Sequence, residues 1–191
     1  PKGNLYFTML VALDREDEHR FPQLSFLSAL SVVESIQTAA EGAADVKIKW
    51  PNDVLLNVKK VSGILIEKED AWAIIGIGIN VNSSPGTKLV VYPTTSLANE
   101  KIAVSADELG KILANNLIRN MNELKNDGFK SIVARVKPFM YRMGEQIFIT
   151  FRTGQISGVF EGLADTGGII VDVGDDKITL LSGEMTKENF V

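Results

Sequence analysis

Cysteine is absent from the 191 residues, and histidine occurs only once. The lack of cysteine excludes disulfides, thiolate catalysis and cysteine-ligated zinc. A Ser–His catalytic triad would have to use His19, which lies in a run of charged residues at 14–20. Such a run is typical of a solvated loop, so we expect neither a triad nor a metal site in this chain.

Long apolar runs and an excess of positive charge are also lacking. No apolar run reaches the roughly 18 residues that a membrane span needs, and no cleavable signal follows Pro1. We therefore expect a cytoplasmic protein with no membrane contact. The net charge of −4 gives no broad basic field, which argues against binding to nucleic acid. With 45% hydrophobic and 23% charged residues, the composition is that of a globular protein.

The first 140 residues alternate between strand-like and helix-like patterns. Leu5–Leu13 is predicted to be a buried strand, and Pro22 begins a helix with an apolar residue at every third position. Three closely spaced strand patterns follow, at 46–50, 54–67 and 72–81. Their short connections favour antiparallel pairing. The capping box Ser105–Glu108 predicts the start of a second long helix.

Four short strand patterns separated by glycine-rich turns make up the rest of the chain, after Tyr141. We predict two domains, at 1–140 and 141–191, the second a small β-barrel packed on the first. The segregation of strands and helices indicates an α+β fold, with a mixed, largely antiparallel sheet packed with helices. Trp50 and Trp72 are interpreted as core residues.

A dense group of polar residues lies between the second and third strand patterns, at Lys49–Asp53. An ordinary Asn–Asp turn would explain these residues equally well. Lys60 follows seven residues later, and three glycines, Gly63, Gly76 and Gly78, interrupt the next strands. A glycine inside a strand indicates close backbone approach, a bulge or a crowded crossing of strands. If close approach applies, these residues form a flat pocket with polar groups at one end.

The motifs Lys49-Trp50-Pro51-Asn52-Asp53, Lys60-x-x-Gly63-Ile64-Leu65-x-Glu67 and Gly76-x-Gly78-Ile79-Asn80 together resemble the biotin protein ligases. Residues 3–8 and the glycine pattern at 156–184 resemble further parts of that family. The resemblance implies a catalytic domain related to class II aminoacyl-tRNA synthetases and an SH3-like C-terminal domain. It also implies an enzyme that makes biotinyl-AMP and transfers biotin to a lysine of a biotin carboxyl carrier domain. The implied ligands are biotin, ATP and the Mg²⁺ that accompanies ATP, and a homodimer is possible.

Roles for individual residues follow from the same resemblance. Lys60 corresponds to the lysine that holds the biotin carboxylate and the adenylate, and Lys49 to a second lysine near that charge. Asp53 is expected to orient a lysine or the incoming amine. The expected ligand-binding residues are Asn52 and Asn80 at the adenine edge, and Gly63, Ile64, Leu65, Gly76, Gly78 and Ile79. The loop Tyr92–Leu97 resembles the one that folds over the adenylate.

The chain begins after the position where the family has a Gly/Arg-rich phosphate-binding loop, and no such stretch occurs in it. It is therefore expected either to be a fragment or to be a truncated relative that binds biotin and ATP poorly. Two other functions remain open. One is a non-catalytic biotin-binding or carrier-binding module, and the other is a lipoate or octanoate transferase of the same fold.

Overall fold

A computed structural model describes residues 2–13, 20–86 and 93–186. Within these ranges the three α-helices are α1 (Gln23–Ala39), α2 (Ala106–Asp127) and α3 (Phe129–Val136), and a short 3-10 helix, Lys137–Phe139, follows α3. Its strands are β1 (Leu5–Ala12), β2 (Val46–Lys49), β3 (Asp53–Leu56), β4 (Lys59–Glu69), β5 (Trp72–Ile79), β6 (Gln146–Phe151), β7 (Gly154–Leu163), β8 (Ile169–Asp172), β9 (Lys177–Leu180) and β10 (Glu184–Thr186). None of the helices in these ranges is long and apolar enough to cross a membrane.

The first sheet has the strand order β1-β5-β4-β3-β2, with antiparallel pairing between all neighbours. α1 packs against β2, β3 and β4, and α2 and α3 pack against α1. The apolar stripe of α1 is completely or almost completely buried, at Leu24, Leu27, Leu30, Val33 and Ile36. The predicted α+β fold and the antiparallel pairing are confirmed.

In the part of the chain that the structure describes, helices cover one face of this sheet and leave the other open, and two predictions fail for that reason. β1 is not a buried strand, because its side chains alternate and Tyr6 and Leu10 are 68% and 61% exposed. Trp72 is not a core residue, since it is 48% exposed at the end of β5. Trp50 is buried as predicted. An apolar residue in a two-faced sheet shows its strand propensity but not which face a helix will cover.

The second sheet has the order β10-β6-β7-β8-β9 and is also antiparallel. Its last strand, β10, has only three residues and was not predicted. The turn at Gly167 packs against the start of α1, where an added Cβ would lie 2.7 Å from backbone atoms of Pro22 and Gln23. The Gln23 side chain also donates a 2.7 Å hydrogen bond to the carbonyl of Asp165. The small β-domain thus packs against the N-terminal end of α1. The predicted domain boundary at 140/141 stays a prediction.

A line of polar side chains joins α1 to α2 inside the helix layer. Asn116 donates to the Ser35 hydroxyl at 3.0 Å, and Asn120 donates to the Ser31 hydroxyl at 2.9 Å. The Asn120 carbonyl accepts a 3.0 Å bond from Arg135 of α3. Asn120 is fully buried, so these bonds satisfy a group whose burial would otherwise be costly.

Candidate active site

Lys60 reaches the same face of the first sheet as Gly63 because the pairing of β3 with β4 contains a bulge. In a regular strand, residues three apart point to opposite faces. Here Val54 pairs with Ser62, and the next residue, Leu55, pairs with Lys60. Val61 is therefore the extra residue of the bulge and has no pairing position opposite it in β3. Val61 is fully buried, whereas Lys60 and Gly63 are partly exposed. The extra residue re-aims the Lys60 side chain, as bulges beside functional sites often do.

The ammonium group of Lys60 lies beside a carboxylate and bare backbone. Its Nζ is 2.5 Å from Oδ1 of Asp53, and the two side chains are 37% and 14% exposed. A Cβ built on Gly63 would lie 3.5 Å from the same Nζ. Gly63 in turn pairs with Asp53 on one side and Gly78 on the other. The predicted lysine, aspartate and strand glycines are therefore brought together on one face.

Two cavities meet over this group, with volumes of about 480 and about 340 Å³. Both are lined by Tyr6, Asp53, Lys60, Gly63 and Gly78. The larger cavity is also bordered by Asn4, Val61, Ser62, Ile79, Asn80, Pro85, Thr94 and Glu184. The smaller one is also bordered by Phe7, Thr8, Asn52, Ile64, Leu65, Gly76 and Ile77. The cation–carboxylate pair thus lies where the two cavities adjoin, and the larger cavity has the greater number of polar side chains on its border.

Lys49 is positioned differently from Lys60. It pairs with Asp53 across β2 and β3, but it is only 8% exposed and is not among the described residues that line the two cavities. Burial lowers the pKa of Lys49, while the charges of Asp53 and Glu184 act in the opposite direction. Lys49 therefore contributes positive charge from behind Asp53.

The side chains of Asn52 and Asn80 hydrogen-bond to backbone carbonyls at the rim of the cavities. Asn52 donates to the carbonyl of Ile64 at 2.9 Å, and Asn80 donates to the carbonyl of Thr95 at 3.0 Å. Each amide nitrogen carries a second hydrogen that a ligand could accept. The structure therefore gives both residues a positioning role that the sequence did not predict, and both border a cavity.

Comparison with known proteins identifies the family. Residues 1–82 match the model of the Biotin/lipoate A/B protein ligase family, and residues 143–187 match that of the Biotin protein ligase C terminal domain. A biotin–[acetyl-CoA-carboxylase] ligase of Paracoccus denitrificans is 35% identical over 180 residues, covering 90% of this chain and 75% of that protein. The chain belongs to the biotin protein ligase family.

Other members of the biotin protein ligase family extend the match. The bifunctional ligase/repressor BirA of Bacillus subtilis is 31% identical over 186 residues, covering 91% of this chain and 55% of that protein. The biotin protein ligase of Aquifex aeolicus, solved in complex with biotin and ATP, is 30% identical. It superposes with a TM-score of 0.82, covering 96% of this chain and 78% of that one. The resemblance noted from the three motifs is confirmed.

Asn4 is a residue of this biotin ligase site that sequence reasoning missed. Its Oδ1 accepts hydrogen bonds from the backbone amides of Val81, Asn82 and Ser83, at 3.0–3.1 Å. Its Nδ2 donates to the Ser83 carbonyl at 2.8 Å. One side chain thus holds the chain that leaves β5 against the start of β1, at the edge of the larger cavity. A lone asparagine before a strand gives no signal of such a role.

Tyr6 and Glu184 were also missed as individual site residues. Tyr6 pairs with Gly78 and lines both cavities from the edge strand β1. Glu184, the first residue of β10, brings a carboxylate from the second sheet to the larger cavity. The sequence places Glu184 at the far end of the chain, and only the docking of the two sheets brings it near Asp53.

The segment 93–98 runs beside Lys60. The Lys60 amide donates to the carbonyl of Pro93 at 2.8 Å, and the Thr95 amide donates to the carbonyl of Lys60 at 2.9 Å. Thr94 lines the larger cavity. That this loop folds over the adenylate stays a prediction, and Tyr92, its first residue, lies outside the described residues.

Proposed function

We propose that this protein activates biotin with ATP and then transfers the biotinyl group to a lysine of a carrier domain. The prediction of a biotin protein ligase is confirmed at the level of the family by relatives named as biotin ligases. The chain spans 75% of the Paracoccus denitrificans ligase and 55% of the Bacillus subtilis protein. The observation that carries the proposal is the position of Lys60 at the junction of two cavities.

Each cavity suits one substrate. The smaller one has glycine backbone and aliphatic walls at Gly76, Gly78 and Leu65, which fits a compact bicyclic ring. The larger one has more polar groups and the greater volume, about 480 Å³, which fits an adenosine with its phosphate. Biotin and ATP would then meet at Lys60, where the carboxylate of one approaches the α-phosphate of the other.

The first step brings two anions together. A carboxylate oxygen of biotin attacks the α-phosphorus, the bond to the β-phosphate oxygen breaks, and pyrophosphate leaves. Lys60 offsets the charge of both groups and fixes their approach. In the second step the amine of the acceptor lysine attacks the biotinyl carbonyl, AMP leaves with the bonding electrons, and the nitrogen loses a proton.

Asp53 supports the proposal by its contact with Lys60. The 2.5 Å ion pair holds the ammonium group over Gly63 before substrates bind. We propose that Asp53 orients Lys60 in the first step, and that the same carboxylate is placed to orient the incoming amine in the second. Lys49, buried behind it, adds a positive charge beside Asp53.

Mg²⁺ would enter with the phosphates of ATP. The described residues contain no group of three or more His, Cys, Asp or Glu that could hold a metal ion. Asp53 and Glu184 border the larger cavity and have the oxygen ligands that Mg²⁺ prefers. They would touch the hydrated ion rather than enclose it.

The acceptor is proposed to be a biotin carboxyl carrier domain. Homodimerisation through the sheet edges, the lack of nucleic-acid binding and a cytoplasmic location stay predictions. β1 and β2 form the edges of the first sheet and are the strands that would have to take part in edge pairing.

Biotin-dependent ATP–pyrophosphate exchange tests the first step. Lys60→Met, which keeps the length of the side chain but not its charge, should lower the exchange rate by about 100-fold or more. Lipoate in place of biotin should support no exchange, which separates the ligase from a lipoate transferase. Label from biotin should then appear on the acceptor lysine of a carrier domain. Absence of biotin-dependent exchange in the unmodified protein would contradict the proposal.

A further inference from the structure

Glu100 lies outside the two cavities of the proposed active site, yet its carboxylate joins two segments that flank Lys60. It accepts hydrogen bonds from Thr95 Oγ1 at 2.6 Å, Asn57 Nδ2 at 2.7 Å and Lys59 Nζ at 3.1 Å. We call these four residues the Glu100 cluster. Thr95 belongs to segment 93–98, whereas Asn57 lies in the turn between β3 and β4 and Lys59 is the first residue of β4.

The backbone of Lys60 lies between these two segments. Lys60 directly follows Lys59, and its amide and carbonyl bond to Pro93 and Thr95. The Thr95 carbonyl also receives the side chain of Asn80, which borders the larger cavity. A shift of segment 93–98 would therefore move both the backbone of the cation and the rim of the nucleotide cavity.

The turn between β3 and β4 needs such support. Asn57 and Val58 both have positive φ, of 50° and 62°. Valine rarely adopts this conformation, because its branched Cβ crowds the backbone. A strained turn persists only where surrounding contacts hold it. The bond from Asn57 to Glu100 is such a contact.

The carboxylate of Glu100 can hold the two segments together because it is ionised and accepts several hydrogen bonds at once. Hydrogen bonds from Thr95 and then Asn57 lower its pKa from 4.5 to about 2, so the carboxylate is ionised over the whole neutral range. A carboxylate offers two oxygens with several acceptor positions, so it can receive three donors at once. A glutamine at the same place would offer only one acceptor oxygen.

We propose that Glu100 is a positioning residue for the ligase reaction: it fixes Lys60 by holding segment 93–98 to the β3–β4 turn. This inference rests on the proposed function for its effect on catalysis. Its structural part, the holding of the two segments, is independent of that function. Glu100 itself touches neither substrate, because it lines a separate cavity of about 400 Å³ beyond segment 93–98.

A double-mutant cycle tests whether Glu100 acts through Lys60. The probe is a biotinyl-AMP analogue whose phosphoryl group is replaced by a sulfamoyl group, and its Kd is measured by calorimetry. Glu100→Gln should raise the Kd about 10-fold in the unmodified background and less than about 2-fold when Lys60 is already Met. A general loss of structure would raise the Kd by the same factor in both backgrounds, and that result would overturn the proposal.

Two further variants support the double-mutant cycle: one is a control, and the other tests the same contact from its partner residue. Glu161→Gln breaks the 2.7 Å ion pair of Glu161 with Lys177, away from the described residues that line the two cavities, and should leave the Kd unchanged. Thr95→Val removes the shortest bond to Glu100 while keeping the side-chain shape. It should raise the Kd in the same direction as Glu100→Gln, and it replaces that variant if the latter does not fold.

Residue-resolved amide hydrogen exchange tests the structural part without any ligand. In Glu100→Gln, the amides of Lys60 and Thr95 should exchange about 10-fold faster than in Glu161→Gln. Unchanged exchange would overturn the proposal. If the unmodified protein does not bind the analogue, the proposed function fails. The exchange data then decide whether Glu100 holds the two segments.

Discussion

The substitution Gly78→Ala tests whether the open space beside Gly78 is used by a ligand rather than by the folded protein itself. A Cβ added at Gly78 would meet no protein atom within 4 Å, and the residue does not have a positive φ. The methyl group would project into the region shared by the two cavities. The folded protein should tolerate it, and the loss of chain freedom in the unfolded state should add about 0.4–1 kcal/mol to the free energy of unfolding.

The same methyl group should obstruct biotin. An extra carbon in a well-packed site costs about 1–3 kcal/mol, which corresponds to a roughly 5- to 150-fold rise in the Kd for biotin. Calorimetric titration with biotin gives the Kd, and urea unfolding of the same samples gives the stability. Gly162→Ala is the matched control, because Gly162 is a strand glycine of β7 whose added Cβ also meets open space. Its Kd should equal that of the unmodified protein.

Two results would refute the reasoning. If Gly78→Ala binds biotin as tightly as the unmodified protein, the ring system does not lie on this part of the sheet. If Gly78→Ala is instead destabilised, the open space above the glycine is occupied by the protein itself.

Two further substitutions test the electrostatics and the helix layer. Lys49→Met should raise the free energy of unfolding at pH 7, because burial disfavours the charged amine and lowers its pKa in the folded state. The unfolded chain then binds more protons between that lowered pKa and 10.5, so the unmodified protein gains stability as the pH rises through this window. The advantage of Lys49→Met, measured by urea unfolding at pH 7 and pH 10, should shrink accordingly, and a constant difference would contradict the assignment. Asn120→Leu should cost about 1–3 kcal/mol, because it leaves the Arg135 and Ser31 groups that bond to Asn120 without that partner. A Leu variant as stable as the unmodified protein in thermal unfolding would show that these bonds contribute nothing.

Patterns of single residue types predicted the elements of this fold but not the exposure of the sheet. The spacing of leucines in α1 and the capping box before α2 both mark real helices, and Ser105 accepts the predicted bond from the Glu108 amide at 3.1 Å. Trp72 was predicted to be a core residue, but it is 48% exposed. The helix layer does not reach that face of β5, and hydrophobicity along one strand carries no information about it.

Some members of the candidate site were predicted from the sequence, but its geometry was not. The motifs around Asp53, Lys60 and Gly63 name residues that meet in the structure. The contributions of Asn4 and Glu184 depend on contacts between distant parts of the chain, for which a single sequence offers no periodicity. The Glu100 cluster was missed for the same reason.

The bulge in β4 makes the orientation of Lys60 depend on the register of β4 against β3 rather than on the side chain at any one position. Val61 could be replaced by another aliphatic residue with modest effect, because the bulge needs one extra residue in β4 rather than a particular side chain. If β4 were regular and Leu55 paired with Val61, Lys60 would lie on the opposite face from Gly63, and its ammonium group would turn towards the hydrophobic layer beneath. A shift of the β3–β4 register by one residue would thus dismantle the site, even though every residue named in it would still be present.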